Sequence, residues 1–246
     1  VMTQDQLVRF DEFLATHRED FDEQCVLHAA NSFATLRKSH CHQHMVRVGL
    51  ALLGHGPGWM RGGWHQTQAT CLEPIIRWTS HLAKIRTIEP GTSVGYGATW
   101  IAKRRTVLGV VAVGYADGYP MALGGSDRNP KSACIGVLDQ HDDTTVLGYA
   151  SIVGRVNMDQ IIIDLTDLVA SHGDIVGIGS KIELLSRETE FPGEESPNHL
   201  ATLAKVANTV PHELLCRLNP RIPRVYHDQA LPQQTVEPKP RIISKV

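Results

Sequence analysis

Residues 24–57, QCVLHAANSFATLRKSHCHQHMVRVGLALLGHGP, carry the pattern that decides the fold class. Gln24–Ala29 is a short apolar run of strand type, and Met45–Leu53 is a second one that stops at Gly54, His55, Gly56 and Pro57. Between them Asn31 and Ser32 stand where a helix should begin, running to about Lys38. A short polar side chain there can accept one of the unpaired N–H groups of the first helical turn. Strand, helix, strand is the rhythm of α/β folds with parallel strands. Upstream, residues 3–17 read as an amphipathic helix. Thr3 and Gln6 have capping-box spacing, and Leu7, Phe10, Phe13 and Leu14 share one face. Such a piece, residues 1–57, cannot close a barrel or a doubly wound sheet alone, because its strands would keep bare edges. The expectation is that further elements precede it.

Beyond Pro57 the texture changes. Short β-type runs (Pro74–Ile88, Val107–Gly114, Ala133–Leu138, Thr144–Val153, Gln160–Leu165 and Asp174–Leu185) alternate with turn signals such as Pro90-Gly91, Asp117-Gly118 and His172-Gly173. They predict a mainly β domain, barrel-like or sandwich-like. One helix is expected near the end, capped by Asn198, with Leu200, Leu203, Ala204 and Ala207 on one face and Pro211 to end or kink it. The tail from about Asp228 is rich in Gln, Pro and Lys and reads as a loose extension. The domain reading is therefore 1–57, a barrel remnant; 58–227, a β domain; and 228–246, a tail.

Composition narrows the function classes. A net charge of −2 gives no electrostatic case for nucleic acid or an anionic membrane. No apolar run reaches the ~20 residues that span a bilayer. Cys25, Cys41, Cys71, Cys134 and Cys216 are scattered and odd in number, which suits reduced thiols in a cytoplasmic setting. His40, Cys41, His42 and His44 look metal-like, but they lack structural-zinc spacing and read as a solvated loop, so no metal is expected. The glycines of Gly91–Gly97 have no following helix, and a nucleotide reading fails.

Four constellations carry chemistry. His28, Asn31 and Ser32 lead a strand into a helix whose N-terminus suits a phosphate, although a plain cap gives the same pattern. Arg47 sits in an apolar run, where burial is costly without a partner; at the end of a barrel strand it would face an active site. Gly49, two residues on, would let backbone N–H groups approach a ligand. VGYADGYP at 113–120 is a Gly-rich loop holding Tyr115, Asp117 and Tyr119, and a tyrosine held there becomes a general acid/base candidate if a cation lowers its pKa. VGRVNMDQ at 153–160 reads alone as a polar turn.

HAANS, MVRVGLALLG, VGYADGYP and VGRVNMDQ, in this order and spacing, resemble alanine racemase. LAKIRTIEPGTSVGYG at 82–97, DIVGIGSKIELLS at 174–186 and ATLAKVANTVPHELLCRLNPRIPR at 201–224 extend the likeness to about residues 3–226. The resemblance implies a (β/α)8 barrel followed by a mainly β, barrel-like domain, with residues 1–57 as the last turns of the first barrel. It implies a bacterial cytoplasmic homodimer that interconverts L- and D-alanine with pyridoxal 5'-phosphate, feeding peptidoglycan precursors. By the same resemblance Ser32 and the backbone at Gly49 and Leu50 hold the phosphate, with Asn31 beside them. Arg47 faces the pyridine nitrogen and, staying charged, gives it no proton. Tyr115 is the base on one face of Cα, acting in the other subunit's site. Met158 and Asp159 lie where the substrate carboxylate is held. Cys216 falls where some members carry a second active-site tyrosine and is assigned no chemistry.

The family's cofactor lysine lies in a motif like KA(D/N)AYGHG. None of Lys38, Lys84, Lys103, Lys131, Lys181, Lys205, Lys239 and Lys245 has that context. The expectation is that this stretch is inactive alone. The alternatives are a non-catalytic β-domain dimerisation or interaction module, and a related decarboxylase or another amino-acid racemase.

Overall fold

The computed structural model describes residues 2–37, 39–56, 72–127, 131–142, 144–187 and 196–227. Its centre is a six-stranded antiparallel sheet: β1 (Trp78–Ile88), β4 (Thr106–Val111), β5 (Cys134–Leu138), β6 (Val146–Ser151), β7 (Ile161–Asp164) and β8 (Lys181–Leu185). A short hairpin, β2 (Ser93–Val94) with β3 (Trp100–Ile101), stands apart. Strand order is β6-β5-β8-β1-β4-β7. The two edge strands then meet. Ile152, just past β6, bridges Ile163 of β7, and Val153 N–H donates to Ile162 O at 2.8 Å. Closure leaves no sheet edge open there. The domain is thus barrel-like, one of the two forms that the sequence allowed.

Alternation fills the barrel. Leu82, Val111, Ile135, Val137, Ala150, Ile161, Ile163, Ile182 and Leu184 come from all six strands into one buried cluster. Each such aliphatic side chain stabilises the fold by about 1.5–3 kcal/mol when fully buried. The helices α4 (Leu200–Val206) and α5 (Pro211–Cys216) cover it with Leu200, Leu203 and Leu214. One charge is buried in this region: Glu183 takes Arg77 Nε at 2.7 Å and Asn198 Nδ2 at 3.1 Å. Both partners satisfy a carboxylate that would otherwise be costly to bury.

Several sequence expectations change here. Asn198 caps no helix; it is buried on Glu183, and His199 caps α4 by accepting from Ala201 N–H. Pro211 starts α5 instead of ending α4, since its missing N–H costs nothing in a first turn. A further helix, α3 (Thr166–His172), lies within the β region. The run Asp174–Leu185 forms a strand only from Lys181, its start being a 3-10 turn at Gly173–Ile175. The tail from Asp228 and the boundary at 57–58 lie outside the described residues.

Before the barrel come α1 (Met2–Thr16) and α2 (Ser32–Arg37). Helix α1 begins ahead of Thr3, which is therefore inside it and not its cap. The two apolar runs expected as strands are not strands: a single parallel bridge joins Arg47 to Asn31, just past the first run, and Leu50–Leu53 coils into a 3-10 turn. Two isolated strands have no neighbours to complete their hydrogen bonds, so one bridge survives. The piece is docked onto the barrel by Leu50, which joins the main core, by Leu53 O accepting from Ile75 N–H at 3.3 Å, and by His55. His55 is buried with its ring 5.5 Å from that of His199.

Two outcomes follow from this packing. Ile163→Ala, at the closing strand, is expected to lower stability by about 2–5 kcal/mol in urea titrations. His55 supplies a pH dependence. Burial, and then His199, hold its pKa at about 4 against an ordinary 6.5. The unfolded ring takes up its proton first as pH falls, so stability drops as pH goes below 6.5 and levels off below about 4. His55→Leu should remove that part of the slope when parent and variant melts are subtracted.

Candidate functional site

Two clusters gather the residues singled out by sequence. In the first, Asn31 caps α2, its Oδ1 accepting from Ala34 N–H at 3.1 Å. Its bridge to Arg47, with Arg47 N–H donating to Ala30 O at 2.8 Å, lays residues 47–50 alongside the start of the helix. Ser32 Oγ then accepts from Gly49 N–H at 2.8 Å and from Ala51 N–H at 3.4 Å. A Cβ on Gly49 would meet nothing within 4 Å, so open space lies beside this loop. Among the described residues, Leu50 N–H has no acceptor.

Arg47 is exposed, not buried in an apolar strand. Its guanidinium donates to His28 Nδ1 at 2.6 Å and to His28 O at 3.2 Å. Arginine donates only, so this contact requires a lone pair on His28 Nδ1. The metal-like histidines are otherwise engaged: His42 Nε2 lies 2.9 Å from Thr35 O, and His44 Nδ1 accepts from Leu27 N–H. No group able to hold a metal ion occurs among the described residues.

The second cluster forms at one rim of the barrel. Tyr115–Asp117 is a single 3-10 turn just after β4. Tyr115 N–H donates to Asn157 O and Ala116 N–H to Met158 O, both at 2.9 Å, so the tyrosine turn is stitched to the Met158 loop. The fit is close: a Cβ on Gly114 would lie 2.3 Å from Met158 backbone. Tyr115 and Met158 are 46% and 58% exposed, and Asp159 is exposed as well. The other tyrosine of the motif has a different fate. Tyr119 is buried edge-on to Trp78, with ring centroids 5.6 Å apart, and burial pushes its phenol pKa up. Tyr119 anchors the loop, and Tyr115 is the one presented to solvent.

Sequence reasoning missed the supports of this turn. Asp117 Oδ2 accepts from Gly114 N–H at 2.9 Å, and Asp117 Oδ1 accepts from Arg221 Nε at 2.9 Å and its terminal nitrogen at 2.7 Å. Asn219 donates to Ala116 O and Asp117 O, each at 3.0 Å. Nothing in the spacing links residues a hundred positions apart. Cys216 is exposed at the end of α5. No hydrogen bond or ion pair among the described residues joins Tyr115 or Met158 to the Ser32–Arg47 cluster.

A closed β barrel presenting a tyrosine turn, preceded by a helix–loop junction at Ser32 and Gly49, defines a β domain joined to an α/β segment. Residues 75–226 match the family described as alanine racemase, C-terminal domain, and residues 1–57 match alanine racemase, N-terminal domain. The chain belongs to the alanine racemase family. It is 32% identical over 225 residues to the alanine racemase of Stutzerimonas stutzeri, covering 92% of this chain and 52% of that protein. Against the Lactobacillus acidophilus alanine racemase it is 29% identical, covering 82% of this chain and 47% of the relative. The chain thus spans about half the length of the curated relatives it matches. Among solved structures, alanine racemase from Bacillus anthracis with bound L-Ala-P superposes at a TM-score of 0.71 with 27% identity, over 92% of this chain and 51% of that one. The Bartonella henselae enzyme, with covalently bound pyridoxal phosphate, gives 0.69 with 26% identity, over 92% and 52%. These neighbours combine a (β/α)8 barrel with a C-terminal β domain.

Gly118 tests the rigidity of the tyrosine turn. Its φ is +102°, and an added Cβ would sit 2.0 Å from Arg217 O. Gly118→Ala is expected to cost at least about 1–3 kcal/mol from backbone strain alone, read by urea denaturation.

Proposed function

We propose that this chain is the C-terminal part of a pyridoxal-phosphate-dependent alanine racemase. In this reading residues 1–57 end the cofactor-binding barrel, 58–227 form the β domain and 228–246 are a tail. The parent protein works in the cytoplasm as a homodimer. The carrying observation is the seating of Ser32 Oγ against Gly49 and Ala51 N–H, one bridge away from Arg47, in a chain of this family.

The residues fit the cofactor's phosphate side. Ser32 brings a hydroxyl, Leu50 an N–H without an acceptor among the described residues, and Gly49 open space, with Asn31 holding the helix start in place. Arg47, fixed by His28, would face the ring nitrogen as a permanent cation that donates a hydrogen bond without giving up its proton. When bound, pyridoxal phosphate supplies the electron sink that makes the Cα proton of alanine removable. The rest is done by side chains. Tyr115 exchanges a proton with Cα on one face, in the site of the other subunit, and its exposure at the rim suits a role across an interface. The backbone at Met158, with Asp159 beside it, holds the substrate carboxylate next to that phenol. The lysine that carries the cofactor and serves the opposite face comes from residues outside this stretch. None of Lys84, Lys103, Lys131, Lys181 and Lys205 belongs to the Ser32–Arg47 cluster, and Lys38, Lys239 and Lys245 lie outside the described residues.

The test is an alanine racemisation assay with added pyridoxal phosphate, on this chain and on the full-length parent, with intact-mass measurement of each. The expected result is no turnover from the chain and turnover from the parent. Tyr115→Phe in the parent should lower kcat by about a hundredfold or more. Ser32→Ala should weaken cofactor affinity by about tenfold. Turnover by a chain of the expected mass, or a parent indifferent to Tyr115→Phe, would overturn the assignment.

A further inference from the structure

The turn that presents Tyr115 has its backbone fully accounted for. Gly114 N–H goes to Asp117 Oδ2, Tyr115 N–H to Asn157 O, Ala116 N–H to Met158 O and Asp117 N–H to Gly114 O. On the acceptor side, Gly114 O takes Tyr119 N–H, Tyr115 O takes Gly118 N–H, Ala116 O takes Asn219 Nδ2 and Asp117 O takes Asn219 N–H. The phenol itself has no hydrogen-bond partner among the described residues. Its position is therefore set by its backbone and not by a contact at its tip.

Two of the four carbonyl oxygens in that frame are held by one distant segment. Asn219 closes on the turn with both its main-chain and side-chain nitrogens, and its Oδ1 accepts from Arg221 N–H at 2.9 Å. Arg221 in turn directs two nitrogens at Asp117 Oδ1, leaving Asp117 Oδ2 for Gly114 N–H. The carboxylate is largely buried at 18% exposure, while Arg221 is 52% exposed. Asp117 is thus gripped between the first residue of the turn and a cation that arrives after the last helix. Gly118 lets the two segments touch, for any side chain there would strike Arg217 O.

We propose that Asn219 and Arg221 are positioning residues for Tyr115: through Asp117 and Ala116 they hold the turn at the one height and direction at which the phenol meets substrate. This deepens the racemase reading and rests on it only for what Tyr115 does, not for how the turn is held. The Arg221–Asp117 contact concentrates two donors on one oxygen of a carboxylate whose other oxygen is committed, so losing the cation frees Asp117 to swing and releases Gly114 N–H.

The experiment uses the 246-residue chain with NMR-detected amide exchange and ring resonances of labelled tyrosine, comparing the parent with Arg221→Gln and Asn219→Ala. The Gly114 and Asp117 amides should exchange about tenfold faster in Arg221→Gln. The Tyr115 ring resonance should shift, while Val110 and Ile163 amides in the sheet keep the parent's rates. Arg221→Lys, which keeps the charge and loses the fork, should recover part of the protection. In the full-length parent, Arg221→Gln should lower kcat with KM nearly unchanged. Unchanged Gly114 exchange, or an equal acceleration of sheet and turn, would overturn the positioning role. Faster turn exchange together with a parent whose kcat ignores both Arg221→Gln and Tyr115→Phe would leave the clamp standing and sink the racemase role of Tyr115.

Discussion

Closure of the six-stranded sheet, made where Val153 donates to Ile162 and Ile152 bridges Ile163, is the constraint on which the rest depends. In an open sheet β6 and β7 would be edges with unpaired backbone groups. Joined, they bring residues 154–160 over one rim of the barrel. β4 runs antiparallel to β7 with Val111 opposite Ile161, so the segment leaving β4 emerges at the same rim as the segment entering β7. The tyrosine turn and the Met158 loop meet because the register makes their parent strands end together. A slip of one residue would turn Val111 and Ile161 out of the core and Tyr115 away from its partner loop.

The N-terminal piece obeys the opposite logic. Its chain has the sequence of parallel strands, yet it keeps only the Asn31–Arg47 bridge, since parallel pairing gains its stability in sheets covered on both faces. What persists is the part held by local capping: Asn31 on Ala34, Ser32 on Gly49 and Ala51, Arg47 on His28. These bonds need no neighbouring strands. Large apolar groups elsewhere in the piece and in its connection to the barrel, such as Val26, Leu52 and Ile75, are 54–69% exposed, as expected of surfaces shaped to pack against more protein.

Periodicity made the β runs legible, because alternation is imposed by the barrel interior at Ile161 and Ile163 or at Ile182 and Leu184. It failed where a neighbour outside the run decides the outcome. Gln24–Ala29 is apolar enough for a strand but has no strand beside it among the described residues, and Asn198 has the chemistry of a cap but is claimed by buried Glu183. Pro211 opens α5 where a helix end was expected, because proline breaks a helix interior yet suits its first turn. Of the candidate site, Ser32 and Gly49 are legible as types fit for an anion and Arg47 as one fit to face an active site, and the three converge, while Tyr115 and Met158 lie on adjoining loops. Arg221 and Asn219 were not legible, since their role exists only once α4 and α5 return the chain to the rim. The residue pattern without the family resemblance does not separate Tyr115 from Tyr119, which differ in burial.

That separation shows how the rim divides its labour. Tyr119 and Asp117 spend their polar and apolar surface inward, on Trp78, Gly114 and Arg221, and make a rigid base. Among the described residues Tyr115 has no hydrogen bond beyond those of its backbone. In the racemase reading proposed for it, this phenol must give and take a proton at a substrate carbon. It gains from a fixed backbone beneath a free hydroxyl, because orientation is then settled before substrate arrives. Placing the holding residues after the last helix makes that orientation conditional on the completed β domain. The phenol is aimed only when the barrel has closed and its final helices have packed.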